Sequence, residues 1–138
     1  MSAVKKYDFY FSDGPNFISP RLHALMLESK VSGVQFFDAD VYIGGVLQEG
    51  YKVINITSKM SAFDSEKSKS KPLLSYLPEG PRTYTDIFPK QDLTPDRDIF
   101  RATEAFTTIL VVDRVKELIE RNRVLGVKVV SEISTGEL

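Results

Sequence analysis

Apolar residues recur at helical spacing in two stretches of the chain. In the first stretch, Ser19 is a good N-cap, and Pro20 occupies the first helical position, where its missing N–H costs nothing. Gly33 is predicted to end this helix, because glycine readily adopts the conformation of a helix terminus. The residues that share its apolar face are Leu22, Leu25, Met26 and Ser29. The stretch therefore predicts an amphipathic helix.

A second amphipathic helix is predicted towards the end of the chain. Asp113 is interpreted as its N-cap and Gly126 as its end. The residues on its shared face are Val115, Leu118, Ile119 and Asn122. One face of this helix is therefore also expected to pack on other elements.

Alternating or β-branched residues predict strands around the helices. Residues 13–15 read as a turn after the first strand, and Gly44 and Gly45 read as a turn that joins two later strands in a hairpin. Ile99 and Phe100 interrupt a polar connection and are expected to dock inward. The predicted strands are residues 6–11, 34–43, 51–57, 83–88, 106–112 and 127–133.

Residues 18–37 and 111–130 align without a gap, at an offset of 93 residues. Arg21 matches Arg114, and the pair Gly33-Val34 matches Gly126-Val127. An internal duplication explains this match, and so does convergence of two helix–turn–strand units on similar sequences. In both cases two helices cover a mixed or antiparallel sheet, so we predict a single α+β domain over residues 1–138.

Composition excludes several classes of protein. A chain of 138 residues with a net charge of -1 lacks the basic excess of a nucleic-acid binder. It has no cysteine, which removes disulfides and thiolate metal sites and gives secretion no support. No apolar run approaches the roughly 18 residues of a membrane helix, and no apolar signal core follows the first residues. We therefore expect a soluble cytoplasmic domain with no membrane or nucleic-acid partner.

Few side chains offer catalytic chemistry. His23 is the one histidine, and it lies beside the apolar stripe of the first helix, so a boundary position is favoured over a catalytic role. Asp38 and Asp40 share one face of a predicted strand, a spacing that suits a hard cation or a pair of acids. A solvated strand face explains this pair more simply.

The remaining charged and glycine-rich segments indicate structural roles. Asp96 and Asp98 are expected to form ion pairs with Arg97 and Arg101 or to cap turns. The glycine pair at 44–45 fits neither phosphate-binding motif, GxxxxGK[ST] or GxGxxG. The sequence therefore predicts no catalytic residue, cofactor or metal. A protein with a full core and no such site is expected to act through its surface.

Several short motifs follow one another along residues 18–131. A helix opened by Ser, ISPRLHALMLESKVSGVQFF, precedes the Asn-containing strand YKVINIT, the signature Asp-x-Glu-Lys-Ser, the Phe-Arg element DRDIFRATE and the closing series TTILVVDRVKELIERNRVLGVKVV. This order resembles a family of bacterial immunity proteins of polymorphic toxin systems, once a domain of unknown function and later named for a myxobacterial member. The signature residues are Asn55, Asp64, Glu66, Lys67, Ser68, Phe100 and Arg101.

The resemblance implies a protein that is not an enzyme. It would bind a cognate toxin encoded by a neighbouring gene and occlude the toxin's active site, in a system of interbacterial competition such as type VI secretion. Expected exposure, rather than any motif, selects the contact residues. They are Asp38, Asp40, Tyr42, Tyr76, Tyr84, Asp86 and Asp92.

Two other functions stay open. A small enzyme, including one that reverses the toxin's modification, would need Asp38, Asp40 or His23 to converge in a cleft with shifted pKa values. A regulatory module would bind a small ligand in a pocket under the aromatic N-terminal strand. A deep pocket with convergent polar groups favours these two functions, whereas an exposed aromatic and acidic surface favours toxin binding.

The segment 61–71, SAFDSEKSKSK, is interpreted as a structural turn. Asp64 is expected to accept backbone N–H groups of the turn that follows it. Ser61 and Asp64 resemble a capping box, which predicts a short helical turn near Ser61. Arg101 is expected to pair with a carboxylate such as Asp64 and so to join the two signatures.

Overall fold

Two nine-residue helices, each entered directly from a strand, organise the fold. The computed structural model describes residues 7–12, 14–80 and 82–131, and these form a single-domain α+β fold, as predicted. The helices are α1 (Pro20–Glu28) and α2 (Asp113–Arg121). The strands are β1 (Phe9–Tyr10), β2 (Asn16–Ile18), β3 (Val34–Asp38), β4 (Val41–Ile43), β5 (Val46–Gln48), β6 (Lys52–Ile56), β7 (Lys59–Met60), β8 (Lys69–Pro72), β9 (Arg82–Asp86), β10 (Ile99–Ala102) and β11 (Ala105–Val111).

The two helices begin differently. The Ser19 hydroxyl accepts a hydrogen bond from the Leu22 N–H at 3.1 Å, which confirms the predicted cap of α1. The N-cap of α2 is Val112, which has no capping side chain, and Asp113 is the first helical residue. The predicted N-cap role of Asp113 is therefore wrong. Its carboxylate still lies in the first turn, where the helix dipole favours negative charge.

Both helices end before the glycines that were expected to stop them. Lys30 and Arg123 adopt left-handed conformations, with φ of 53° and 51°. In each case the next residue's N–H donates a hydrogen bond to the carbonyl five residues earlier. The Val31 N–H donates to the Met26 carbonyl at 3.0 Å, and the Val124 N–H donates to the Ile119 carbonyl at 3.1 Å. This geometry is a Schellman motif, in which a left-handed residue closes the last helical turn.

Gly33 and Gly126 instead permit a close approach between backbones. Their φ values of 91° and 93° lie in the region that favours glycine. A Cβ atom on Gly33 would lie 2.1 Å from the Ile99 carbonyl oxygen, and one on Gly126 would lie 2.2 Å from the Phe9 carbonyl oxygen. Each glycine therefore brings the segment after one helix against the first strand of the hairpin that enters the other helix.

Antiparallel pairing builds most of the sheet structure. One sheet has the order β1-β2-β6-β3, and a second has the order β11-β10-β7, in which β10 and β7 are parallel. The predicted hairpin of β3 and β6 is confirmed, with a register from Val34 opposite Ile56 to Asp38 opposite Lys52. Two ribbons, β4–β5 and β8–β9, complete the described strands. The β4–β5 ribbon is an insertion between β3 and β6.

Several strands differ from the prediction. The predicted strand 34–43 breaks after Asp38, because Val41–Ile43 pairs with β5 rather than β6. The short strands β2, β5, β7, β8 and β10 were missed. Residues 127–131 form no strand, so the predicted terminal strand is wrong over this range, and residues 132 and 133 lie outside the described part. Lys6 and Asp13, which belonged to the first predicted strand and its turn, also lie outside it.

A buried carboxylate, Asp8, fastens the end of α2 to the start of α1. It accepts hydrogen bonds from the Leu125 N–H at 2.9 Å, the Ser19 hydroxyl at 2.7 Å and the Arg21 guanidinium at 2.6 Å. Arg21 also donates to the Asn122 carbonyl at 2.8 Å. Burial alone would raise the pKa of Asp8, but the hydrogen bonds from Arg21, Leu125 and Ser19 outweigh it and lower the pKa. We call this arrangement the Asp8 clasp.

A matching arrangement, the Asp98 clasp, fastens the end of α1 to the start of α2. Asp98 accepts hydrogen bonds from the Ser32 N–H at 2.8 Å and from Arg114 at 2.6 Å, and Arg114 donates to the Ser29 carbonyl at 2.6 Å. The expected local pair of Asp98 with Arg97 or Arg101 is therefore wrong. Burial would raise the pKa of Asp98, but hydrogen bonds from Ser32 and Arg114 outweigh it and lower the pKa.

The two helix units, residues 18–33 and 111–126, thus share their helix lengths and C-terminal motifs at the predicted offset, and their clasp arginines, Arg21 and Arg114, also match. The clasp carboxylates do not match, because Asp8 and Asp98 are 90 residues apart. The correspondence is one of local geometry. It stops at residue 126, because residues 127–131 form no strand whereas Val34–Asp38 does. An internal duplication stays a prediction.

Apolar side chains from both helix units form the main core. Its buried members are Phe9, Ile18, Leu22, Met26, Ile54, Ile56, Ile99, Val115, Leu118, Ile119 and Val124. A smaller cluster consists of Ala62, Phe63, Phe100 and Ala102. The inward docking predicted for Ile99 and Phe100 is confirmed, although the two side chains enter different clusters. No helix in the described part is long and apolar enough to cross a membrane.

Candidate interaction surface

The Asp-x-Glu-Lys-Ser signature folds as a tight turn. Asp64 Oδ1 accepts hydrogen bonds from the Glu66 N–H at 2.9 Å and the Lys67 N–H at 3.1 Å, the pattern that was predicted. The Ser68 hydroxyl accepts from the Phe88 N–H at 3.0 Å and donates to the Phe88 carbonyl at 3.3 Å. The side chains of Glu66 and Lys67 are exposed. Asp64 and Ser68 therefore hold backbone in place rather than forming a reactive site.

Glu104, which the sequence did not single out, organises the start of this segment. Its carboxylate accepts hydrogen bonds from the Ala62 and Phe63 N–H groups at 3.1 and 3.0 Å and from the Ser61 hydroxyl at 2.9 Å. Burial would raise the pKa of Glu104, but the backbone hydrogen bonds from Phe63 and Ala62 outweigh it and lower the pKa. Ser61 thus binds Glu104 instead of capping a helix, and residues 61–63 contain no helical turn. The predicted capping box of Ser61 and Asp64, with a helical turn at Ser61, is therefore wrong.

The expected pair of Arg101 and Asp64 is also wrong. Arg101 Nη1 donates to the Phe106 carbonyl at 2.6 Å, across the turn that joins β10 to β11. Asn55 lies on the exposed side of β6, where its amide donates to Gln35 at 3.4 Å. The signature residues are therefore spread over the fold and do not meet at one site.

The structure brings two of the candidate catalytic groups near each other, because the charges of His23 and Asp38 interact, but each of them has another contact. The His23 ring packs edge-on against Phe36, with ring centroids 4.7 Å apart, and burial followed by the nearby Lys52 charge lowers its pKa. Asp38 binds the Lys52 ammonium at the surface, and Asp40 lies beyond the end of β3. Among the described residues, no three side chains of the metal-binding types come together.

The β4–β5 ribbon presents apolar side chains to solvent. Gly44 and Gly45, with φ of 59° and 80°, form its two-residue turn. Tyr42 lies opposite Leu47, and their side chains are 65% and 47% exposed. Because opposite residues of an antiparallel pair lie on one face, these two form a single apolar surface. Within the described ranges the ribbon pairs with no other strand.

Acidic side chains accompany this apolar pair. Asp38 and Asp40 precede β4, Glu49 follows β5, and all three are exposed. We call the set Tyr42, Leu47, Asp38, Asp40 and Glu49 the ribbon patch. It is an exposed aromatic and acidic surface of the kind that favours protein binding.

The other predicted contact residues are dispersed. Tyr76 is 76% exposed in the connection between β8 and β9, and Asp92 is exposed in the connection before β10. Tyr84 packs edge-on against Phe63, with ring centroids 4.8 Å apart. Asp86 is 6% exposed and lies 3.8 Å from Lys69. The exposure assumed for Asp86 is therefore wrong, and Tyr84 is partly buried.

Comparison with known proteins relates the chain to a family. The model of the Immunity protein family (Imm11) matches residues 3–131 of the chain. The match includes both helix units, the ribbon patch and the signature turn. A search of curated proteins finds no match.

Proposed function

Because the chain belongs to the Immunity protein family (Imm11), we propose that it binds a cognate bacterial toxin and neutralises it by occluding the toxin's active site. Membership in the family supports a role in toxin immunity. The ribbon patch supports binding as the means, because exposed apolar surface on a structured element marks sites of protein interaction.

Tyr42 is the proposed anchor of this interface. Tyrosine supplies a large, rigid apolar surface at low entropic cost, and such residues dominate the energetics of protein interfaces. Its ring stands beside Leu47 on a ribbon that leaves the main sheet, so it can enter a concave surface. Asp40 and Glu49 complement a basic rim. Toxin active sites that handle phosphate groups carry such a rim, since positive charge attracts their substrates.

The test is co-expression with the toxin domain encoded by the neighbouring gene. Cells would carry the toxin with and without this chain, and both survival and a co-purified complex would be measured. Tyr42→Ala is expected to weaken the complex roughly 30-fold or more, the loss typical of an interface hot spot. Tyr76→Ala serves as the matched control, because it removes a tyrosine that is at least as exposed from a different surface.

Each other outcome has a definite meaning. Rescue without a stable complex would contradict neutralisation by binding and favour an enzyme that reverses the toxin's damage. Loss of binding with Tyr76→Ala but not with Tyr42→Ala would move the interface to the connection between β8 and β9. If the product of the neighbouring gene is toxic and this chain neither rescues the cells nor binds that product, the proposed partner is contradicted.

A further inference from the structure

One edge of the β11-β10-β7 sheet has no strand beside it in the described residues. The Val112 N–H donates to the Asp98 carbonyl at 3.0 Å. Backbone groups of an antiparallel strand alternate in direction, so those of Ile109 and Val111 point away from β10. Within the described part, neither of these two amides has a hydrogen-bond acceptor. The outer edge of β11 is therefore available for pairing.

The corresponding edge in the first helix unit is filled. Residues 109–111 correspond to β2, whose Asn16 and Ile18 pair with Ile54 and Lys52 of β6. On its other side β6 pairs with β3, the segment that corresponds to residues 127–131. Strand β6 thus lies between the strand that enters α1 and the strand that follows it.

In the second helix unit the position that corresponds to β6, between β11 and residues 127–131, is a groove. It has a volume of about 700 Å³, and residues 107–112 and residues 127–131 both line it. Val127 and Val129 pack on the main core, as their counterparts Val34 and Phe36 do. The amides of residues 128 and 130 have no acceptor among the described residues. Residues 127–131 therefore show the alternation of a strand that lacks its partner.

We propose that an extended segment of the toxin binds in this groove as an added strand between β11 and residues 127–131. The proposal rests on the proposed function for the identity of the partner. Strand β6 defines the occupant: about five residues that run antiparallel to both neighbours, with aliphatic side chains at alternate positions, like Ile54 and Ile56. Its inward side chains would pack on Val115 and Ile119, which line the groove. Added strands gain affinity by pairing exposed backbone groups of this kind.

Two lysines indicate the charge of the occupant. Lys116 and Lys128 line the groove, and neither forms an ion pair within the described residues. Lys128 corresponds to Gln35, which binds Asn55 across the β3–β6 pair. An acidic residue at the position of Asn55 would therefore meet Lys128. The expected toxin segment has an Asp or Glu between two aliphatic residues.

Amide hydrogen exchange, measured by NMR on the full chain with and without toxin, tests this inference. In the free chain, the four groove amides should exchange at least about 100-fold faster than their matched controls, because the controls are in a formed ladder. With toxin bound, exchange of the groove amides should slow at least about tenfold. The groove amides are those of Ile109, Val111, Lys128 and Val130, and the controls are those of Asn16, Ile18, Gln35 and Phe37.

The outcomes separate this inference from the proposed function. A toxin that binds while the groove amides stay fast would overturn the added strand and leave the immunity role in place. Absence of any toxin binding would overturn the proposed function itself. Groove amides that are already protected in the free chain would overturn the toxin as occupant. The exchange measurement would then be repeated in two ways. Loss of protection at lower protein concentration would identify a second copy as the occupant. Loss of protection in a chain that ends at Ser131 would identify the chain's own end.

Charge reversal gives an independent readout. Lys128→Glu is expected to weaken toxin binding about three- to tenfold, because it places like charges across the added strand. Lys71→Glu is the matched control, since Lys71 is an exposed lysine on β8 that does not line the groove. Equal effects of the two changes would contradict a specific acidic contact at Lys128.

Discussion

Replacement of Asp8 by Asn tests whether the clasps hold the two helix units together. The Asp8 carboxylate accepts hydrogen bonds from Ser19, from Leu125 and, through two nitrogens, from Arg21. An amide in its place keeps the volume but turns one acceptor into a donor that faces other donors. Arg21 is about half exposed, so we count at most about 1 kcal/mol for its ion pair. Asn keeps one oxygen, so either the bond to Leu125 or the bond to Ser19 is also lost, which adds about 1–2 kcal/mol. The free energy of unfolding should therefore fall by about 1–3 kcal/mol.

Urea unfolding at pH 7 measures this change as a lower transition midpoint with an unchanged slope. The matched control is Asp38→Asn, which removes an exposed carboxylate whose one hydrogen-bond partner among the described residues is Lys52. No measurable shift of the midpoint is expected for that control. An Asp8→Asn protein with the midpoint of the unaltered chain would refute the assigned role of the clasp.

The same pair of proteins has a defined pH dependence. The pKa of Asp8 is lowered by folding, so its contribution to stability is present at neutral pH and is lost as the pH falls through the lowered pKa. The difference between the unaltered chain and Asp8→Asn should therefore be largest at neutral pH. It should shrink once the pH falls below about 4, the ordinary range of an Asp side chain. A difference that grows towards acid would show that the carboxylate is not stabilising in its charged form.

Three further changes test other parts of the fold by urea unfolding. Glu104→Gln should lower the free energy of unfolding by about 1–3 kcal/mol, because its amide nitrogen would face the Ala62 N–H, which now donates to both carboxylate oxygens; an unchanged midpoint would contradict this role. Gly33→Ala should cost more than about 2 kcal/mol, since its Cβ would overlap the Ile99 carbonyl at a positive φ. Gly14→Ala is its control, because nothing lies within 4 Å of the added atom. Lys30→Gly should instead raise the free energy of unfolding by about 0.5–1 kcal/mol, because it removes a left-handed non-glycine residue; a loss of stability would contradict this explanation.

The sequence predicted those elements whose signals are local. Ser19 and Pro20 mark the start of α1 because a cap acts through its own neighbours. The pairing of β3 with β6 follows from two apolar runs around a glycine turn. The strand predicted at 127–133 failed over its described part because a strand needs a partner, and apolar alternation alone does not supply one.

The candidate surface was less accessible to sequence reasoning, because exposure depends on tertiary packing. Tyr42 and Tyr84 look alike in the sequence, yet one projects from a ribbon and the other packs on Phe63. Asp98 has arginines next to it in the chain, but it pairs with Arg114, which the fold brings to it. Glu104 gave no sequence signal, because two of its partners are the backbone amides of Ala62 and Phe63, which no side-chain pattern marks.

The clasps also determine when the first helix unit can be completed during synthesis. Asp8 and Leu125 are separated by 117 residues, and the end of α1 waits for Arg114. At ribosomal rates of about 5–20 residues per second, the first clasp partner waits roughly 6–23 s for the second to be synthesised. The first helix unit emerges without Arg114 and Leu125 and is completed only after residue 125 has left the ribosome. A product that stops before residue 125 is thus expected to leave residues 7–33 without their stabilising contacts.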